Sequence, residues 1–161
     1  MTAPTLIASR PSGKLFELTL PPGTYYVGDP CYALASDLYG WLSDQIFPPG
    51  DKGGYDVLDV HVSVPLPDGG AAELFDMRTK HGDGRYPFHG PAVTAHTVGR
   101  PGLGVDSGGM AVIDARLVTV PHAWSDGGRV VTDAPLRLRV EGGDLHAEDA
   151  FSVLTEDHND E

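Results

Sequence analysis

One cysteine, Cys31, stands alone in 161 residues. An intramolecular disulfide is therefore excluded, and a chain without one suits a reducing cytoplasm, which is the location expected here. No run of about eighteen apolar residues occurs, so no membrane-spanning helix is expected. The first ten residues lack the basic start and long apolar stretch of a signal peptide. Basic residues are also scarce, with 11 Lys and Arg against 23 Asp and Glu, a net charge of −12. Nucleic-acid binding through a broad basic surface is not expected, because phosphate neutralisation needs clustered cations. No P-loop, GxGxxG, HExxH or CxxC arrangement occurs, and no repeat of fixed period.

Glycine and proline are abundant, at 21 and 14 residues. They punctuate the whole chain, which points to many short elements joined by turns. Alternating patterns predict strands over Thr5–Arg10, Lys14–Leu20, Thr24–Val27, Asp56–Val64, Ala72–Arg78, Ala92–Val98, Met110–Val120, Arg129–Thr132, Leu136–Val140 and Asp149–Thr155. The clearest is Asp56–Val64, where Leu58, Val60, Val62 and Val64 share one face. One helix is predicted over Ser36–Phe47, capped by Ser36 and carrying Leu38, Trp41, Leu42 and Ile46 on one face. Ten strands and one short helix give an all-β, β-dominated chain: a single antiparallel sandwich or barrel-like domain. The domain is expected over residues 1–155. Eight acids and no base lie from Glu141 to Glu161, and residues 156–161 read as a disordered acidic tail.

The chemistry-bearing residues gather in three loops. The first is Gly28-Asp29-Pro30-Cys31-Tyr32, in a stretch from Tyr25 that holds three of the six tyrosines. The second is Gly82-Asp83-Gly84-Arg85-Tyr86, and the third is Gly104-Val105-Asp106-Ser107-Gly108. Each sets an acid beside glycine at the edge of a strand-like segment, where glycine permits close approach by a ligand or another backbone. Convergence of Asp29, Asp83 and Asp106 would make an oxygen-rich site for a hard divalent cation. The competing reading is ordinary turn chemistry, the carboxylates bonding nearby amides.

The order GDPCY, then GDGxY some fifty residues on, then G-V-D-[AS]-G resembles a family of small bacterial and phage proteins with no assigned activity. The likeness covers Tyr25–Ala115. It marks Gly28, Asp29, Pro30, Cys31, Tyr32, Gly82, Asp83, Gly84, Tyr86, Asp106 and Gly108 as important positions and implies no reaction. His81 departs from the aromatic expected before the second motif.

Two further signals belong to the same region. Cys31 is the natural nucleophile to consider, with His81, His89 or His96 as its base. Arg78, Lys80, Arg85 and Arg100 face only Asp83 in sequence, a local excess of positive charge suited to a small anionic ligand such as phosphate or carboxylate. The seven histidines (His61, His81, His89, His96, His122, His146, His158) are too scattered for a zinc site. The expected function is a ligand-binding or interaction module, its polar site drawn from Asp29, Tyr32, Asp83, Arg85, Tyr86 and Asp106. The alternative is a hydrolase-like enzyme using Cys31, or a metal held by Asp29, Asp83 and Asp106.

Overall fold

A computed structural model describes residues 3–48, 57–86, 88–90, 93–95, 103–120, 123–125, 127–148 and 150–155. The acidic stretch 156–161, Arg100, His96, His122 and His158 lie outside the described residues. Fourteen strands and one α-helix are present among those described. The strands are β1 (Thr5–Pro11), β2 (Phe16–Leu20), β3 (Gly23–Gly28), β4 (Leu58–Pro65), β5 (Ala71–Arg78), β6 (Gly84–Tyr86) and β7 (Phe88–His89). They continue as β8 (Val93–Ala95), β9 (Leu103–Val105), β10 (Gly109–Asp114), β11 (Gly128–Thr132), β12 (Leu136–Glu141), β13 (Asp144–Ala147) and β14 (Phe151–Leu154). The helix α1 is Ser36–Ile46.

The large sheet runs β1-β4-β5-β10-β3-β11-β8 and the second β2-β12-β13-β14-β7, with β6 and β9 forming a separate pair. Every pairing is antiparallel. The chain is thus an all-β domain with one short helix, and its sheets are open rather than closed into a barrel.

Alternation along the strands sorts the core into two layers. Tyr25, Val27, Phe75, Met77, Met110 and Val112 point toward the second sheet, where they meet Phe16, Leu138, Leu145 and Phe151. Tyr26, Val62, Leu74, Ala111 and Ile113 point the other way and are covered by α1 through Leu42 and Ile46. Burying each of those two helix side chains contributes roughly 1.5–3 kcal/mol. Strand β10 is central, and all six of its residues are buried.

Several expectations are corrected. Ser36 is the first helical residue, and the preceding Ala35 supplies no side-chain cap. The strand expected over Met110–Val120 stops at Asp114, whose carboxylate accepts the Arg116 amide at 3.0 Å and starts a 3-10 turn over Ala115–Leu117. The Gly-rich segments expected as loops contain β6 and β9, paired Tyr86 to Leu103. Strand β13 was not expected; Gly142 and Gly143, at φ of 63° and 89°, make the tight turn that returns it onto β12. Of Ala92–Val98, only Val93–Ala95 is described, as a strand.

Candidate functional site

One end of the large sheet collects the motif loops. Antiparallel order puts the ends of β3 and β5 and the starts of β4, β10 and β11 side by side: Gly109 is opposite Arg78, Ala111 opposite Gly28, and Gly128 opposite Val27. The Gly28-Asp29-Pro30 loop leaves β3 at this end, and the loop carrying Asp106 enters β10 there.

Asp29 joins the two. Its side chain is fully buried. Oδ2 accepts the backbone amides of Asp106 at 2.6 Å and Ser107 at 2.7 Å. Oδ1 accepts the Ser107 hydroxyl at 2.7 Å and the Cys31 amide at 2.9 Å. Pro30 explains why Asp29 is free to do this. The residue before a proline is driven out of helical geometry, and Asp29 sits extended at φ −72°, ψ 126°, as the cap of a 3-10 turn over Pro30–Tyr32. The Tyr26 hydroxyl donates to the Asp29 carbonyl at 2.9 Å, so backbone and side chain are both fixed.

A buried ion pair supports the same loop from below. Arg78 donates to Asp76 at 2.8 Å and to the Ser107 carbonyl at 3.0 Å. Its own amide donates to Asp59 at 2.9 Å, and Phe47 lies under its guanidinium at 5.2 Å. Burial opposes the charge on Arg78, but the Asp76 carboxylate keeps it protonated. Burial also raises Asp59 to about 7 and Asp76 to about 6, with Arg78 lowering both. Two atoms of this cluster, Asp76 Oδ2 and Arg78 Nε, are buried without a hydrogen-bond partner. Gly109 is required here, since a Cβ on it would collide with the Arg78 guanidinium. On α1, Tyr39 hydrogen-bonds Ser107 and Ser43; burial raises its hydroxyl and those bonds reduce the rise.

The expected site residues divide by burial. Asp29, with four donors on its two oxygens, is a clasp between loops. Tyr86 is fully buried and donates to the Gly82 carbonyl at 2.7 Å, closing its own loop. Arg85 is buried. Tyr32, Asp83 and Asp106 remain accessible, and the Tyr32 hydroxyl donates to the Asp106 carboxylate.

Cys31 sits among the carboxylates. Its thiol is pushed up to about 12, first by burial, then by its contact with Asp29 and the charges of Asp29, Asp106 and Asp83. A thiolate nucleophile needs the opposite environment. Pairing of β6 with β9 sets the Asp83 and Asp106 loops side by side, Gly84 opposite Val105. Among the described residues, however, no group of three or more His, Cys, Asp or Glu side chains is arranged to hold a metal ion. Of the bases expected to attract an anion, Arg78 is engaged by Asp76, Arg85 is buried and Lys80 is exposed. Among the described residues no helix is long and apolar enough to cross a membrane.

Ser107, Asp76 and Tyr39 were not expected at the site. Asp76 had a signal: Ala72, Leu74 and Asp76 share one face of a strand, so an acid occupies a position patterned for the core. Far from this end, an apolar groove of about 480 Å³ lies between the first turn of α1 and the β4–β5 turn, lined by Pro4, Leu38, Trp41, Leu66 and Leu117 with Asp37 and Arg116 at its rim. No family model, no curated protein and no solved structure matches the chain.

Proposed function

We propose that the chain is a small-ligand-binding or interaction module whose recognition surface is the Tyr32–Asp83–Asp106 end of the large sheet. The observation that carries this reading is the Asp29 clasp. A buried carboxylate spends all its hydrogen-bonding capacity on fixing two loops, and those loops leave accessible an acid–tyrosine pair, Asp106 and Tyr32, with the exposed Asp83 beside them where Gly84 of β6 pairs with Val105 of β9. Preorganisation of this kind lowers the entropy lost on binding.

The sign of the field selects the ligand. Asp83 and Asp106 are exposed acids on this surface, and with the buried Asp29 they raise Cys31 in the same direction, so the surface favours a group rich in hydrogen-bond donors, an amine or guanidinium. An anionic ligand is less well served, because Arg78 is already paired with Asp76.

A thermal-shift screen tests the reading, using agmatine, spermidine, Ca²⁺, Mg²⁺ and inorganic phosphate. A ligand that prefers the native state raises Tm. The amines are expected to raise it in the wild type and not in an Asp83→Asn/Asp106→Asn double variant. Stabilisation by phosphate alone would favour the anionic ligand instead, and an equal effect of amines on both proteins would remove the site from this surface.

A further inference from the structure

Among the described residues, the side of the molecule bearing β1 and β2 is open. Among the described residues β1 pairs only with β4, and β2 only with β12, so each is the edge of its sheet. The two edges are adjacent, because a short turn joins them and the Arg10 guanidinium lies 5.2 Å over the Phe16 ring. Six large apolar side chains are exposed among the described residues, and four of them border this side: Leu6, Ile7, Leu15 and Val57. Val57 belongs there because its carbonyl accepts the Ser12 amide at 3.0 Å. A register shift between Leu6 and Ala8 leaves both Leu6 and Ile7 outward, at 38% and 49% exposure.

Charge is distributed unevenly along the same strip. Thr5–Phe16 contains no acid and carries Arg10 and Lys14, in a chain of net −12. Its bases sit at one end. At the other end, Pro4 opens onto the groove whose rim holds Asp37, and Asp68 lies in the neighbouring β4–β5 turn.

We propose that this edge is a self-association surface, on which a second copy of the chain pairs its β1 antiparallel to the first across a two-fold axis. An unpaired edge is a template for another strand, and two-fold interfaces are self-complementary. Antiparallel pairing centred on Ile7 sets Thr5 opposite Ser9 and Arg10 opposite Pro4. Arg10 and Lys14 of each copy then lie beside Asp37 and Asp68 of the other, while Leu6 and Ile7 of both copies are covered together. Parallel pairing would set base against base. Arg10 and Pro11 discourage pairing only at the far end of the strand, leaving Thr5–Ser9 as the contact.

Sedimentation of the whole chain from about 1 µM to about 1 mM tests this, the range spanned by modest interfaces. The expected mass rises from 17.1 kDa to twice that value. Ile7→Lys is expected to weaken association at least ~10-fold, and Val131→Lys, on an exposed residue of β11, to leave it unchanged. Arg10→Glu is expected to weaken it also, with Asp37→Lys/Asp68→Lys in the same chain restoring it. Circular dichroism confirms folding of each variant. A mass fixed at 17.1 kDa across the range, or a dimer indifferent to Ile7→Lys, overturns the proposal. Failure of the charge exchange to restore association overturns the antiparallel register.

Discussion

Asp29 and Ser107, 78 positions apart, are joined by two hydrogen bonds of 2.7 Å, from the serine amide and from its hydroxyl. The Gly28-Asp29-Pro30 loop and the loop entering β10 thus behave as one unit, although no strand pairing connects Asp29 to Ser107. Charge-assisted bonds to a buried carboxylate are stronger than neutral ones.

Removing that carboxylate should be costly. Asp29→Ala removes the acceptor of the Asp106 and Ser107 amides and of the Ser107 hydroxyl, and a loss of roughly 2–4 kcal/mol is expected in urea unfolding. Asp29→Asn should recover little of it, because its amide group would face donors on one side. Hydrogen exchange should quicken first at Asp106 and Ser107.

Gly109→Ala is a second test, on the supporting ion pair. The added methyl meets the Arg78 guanidinium and comes within 3.1 Å of Asp76 Oδ2. Arg78 is held by Asp76 and the Ser107 carbonyl and has little room to yield. A cost of about 1–3 kcal/mol is expected, whereas Gly40→Ala, on α1 with open space around it, should stabilise by up to about 1 kcal/mol.

The buried acids predict how stability depends on pH. Asp59 and Asp76 hold their protons more tightly in the folded chain than in the unfolded one. Their contribution is therefore complete below about pH 4, the ordinary carboxylate value, and is lost as pH rises through about 6 and 7. Urea midpoints should fall from about pH 4 to about pH 8 by an amount that Asp59→Asn reduces. An unchanged slope in Asp59→Asn would assign the decline to the general negative charge instead.

Cys31 should be a poor nucleophile. With its thiol raised to about 12, alkylation by iodoacetamide at pH 8 should run at least ~10-fold slower than for free cysteine, whose ordinary value is about 8.5. Urea-unfolded protein should react at the free rate. Fast alkylation of the folded chain would return Cys31 to consideration as a catalytic group.

Much of the fold was legible because local pattern decided it. The alternation of Leu58, Val60, Val62 and Val64, and of Leu136, Leu138 and Val140, predicts strands that are present, and the Pro67–Gly70 turn joins β4 to β5 as expected. The β6–β9 pair was not legible, since its partners are short, glycine-bearing and distant in sequence, and only burial of Tyr86 and Leu103 makes them strands. The site was legible as positions rather than roles. The Gly-Asp motifs identify Asp29, Asp83 and Asp106, but a carboxylate that binds a ligand and one that binds a neighbouring loop look alike in sequence. What separates Asp29 from Asp106 is which donors the fold delivers to each.

The surface that the Asp29 clasp presents is tested most directly by an amide-resolved NMR titration of the whole chain with agmatine. Shifts confined to Tyr32, Asp83, Asp106 and Ser107, and abolished by Asp83→Asn/Asp106→Asn, are the predicted result. Shifts elsewhere in the molecule, or none from agmatine or from spermidine, would contradict it.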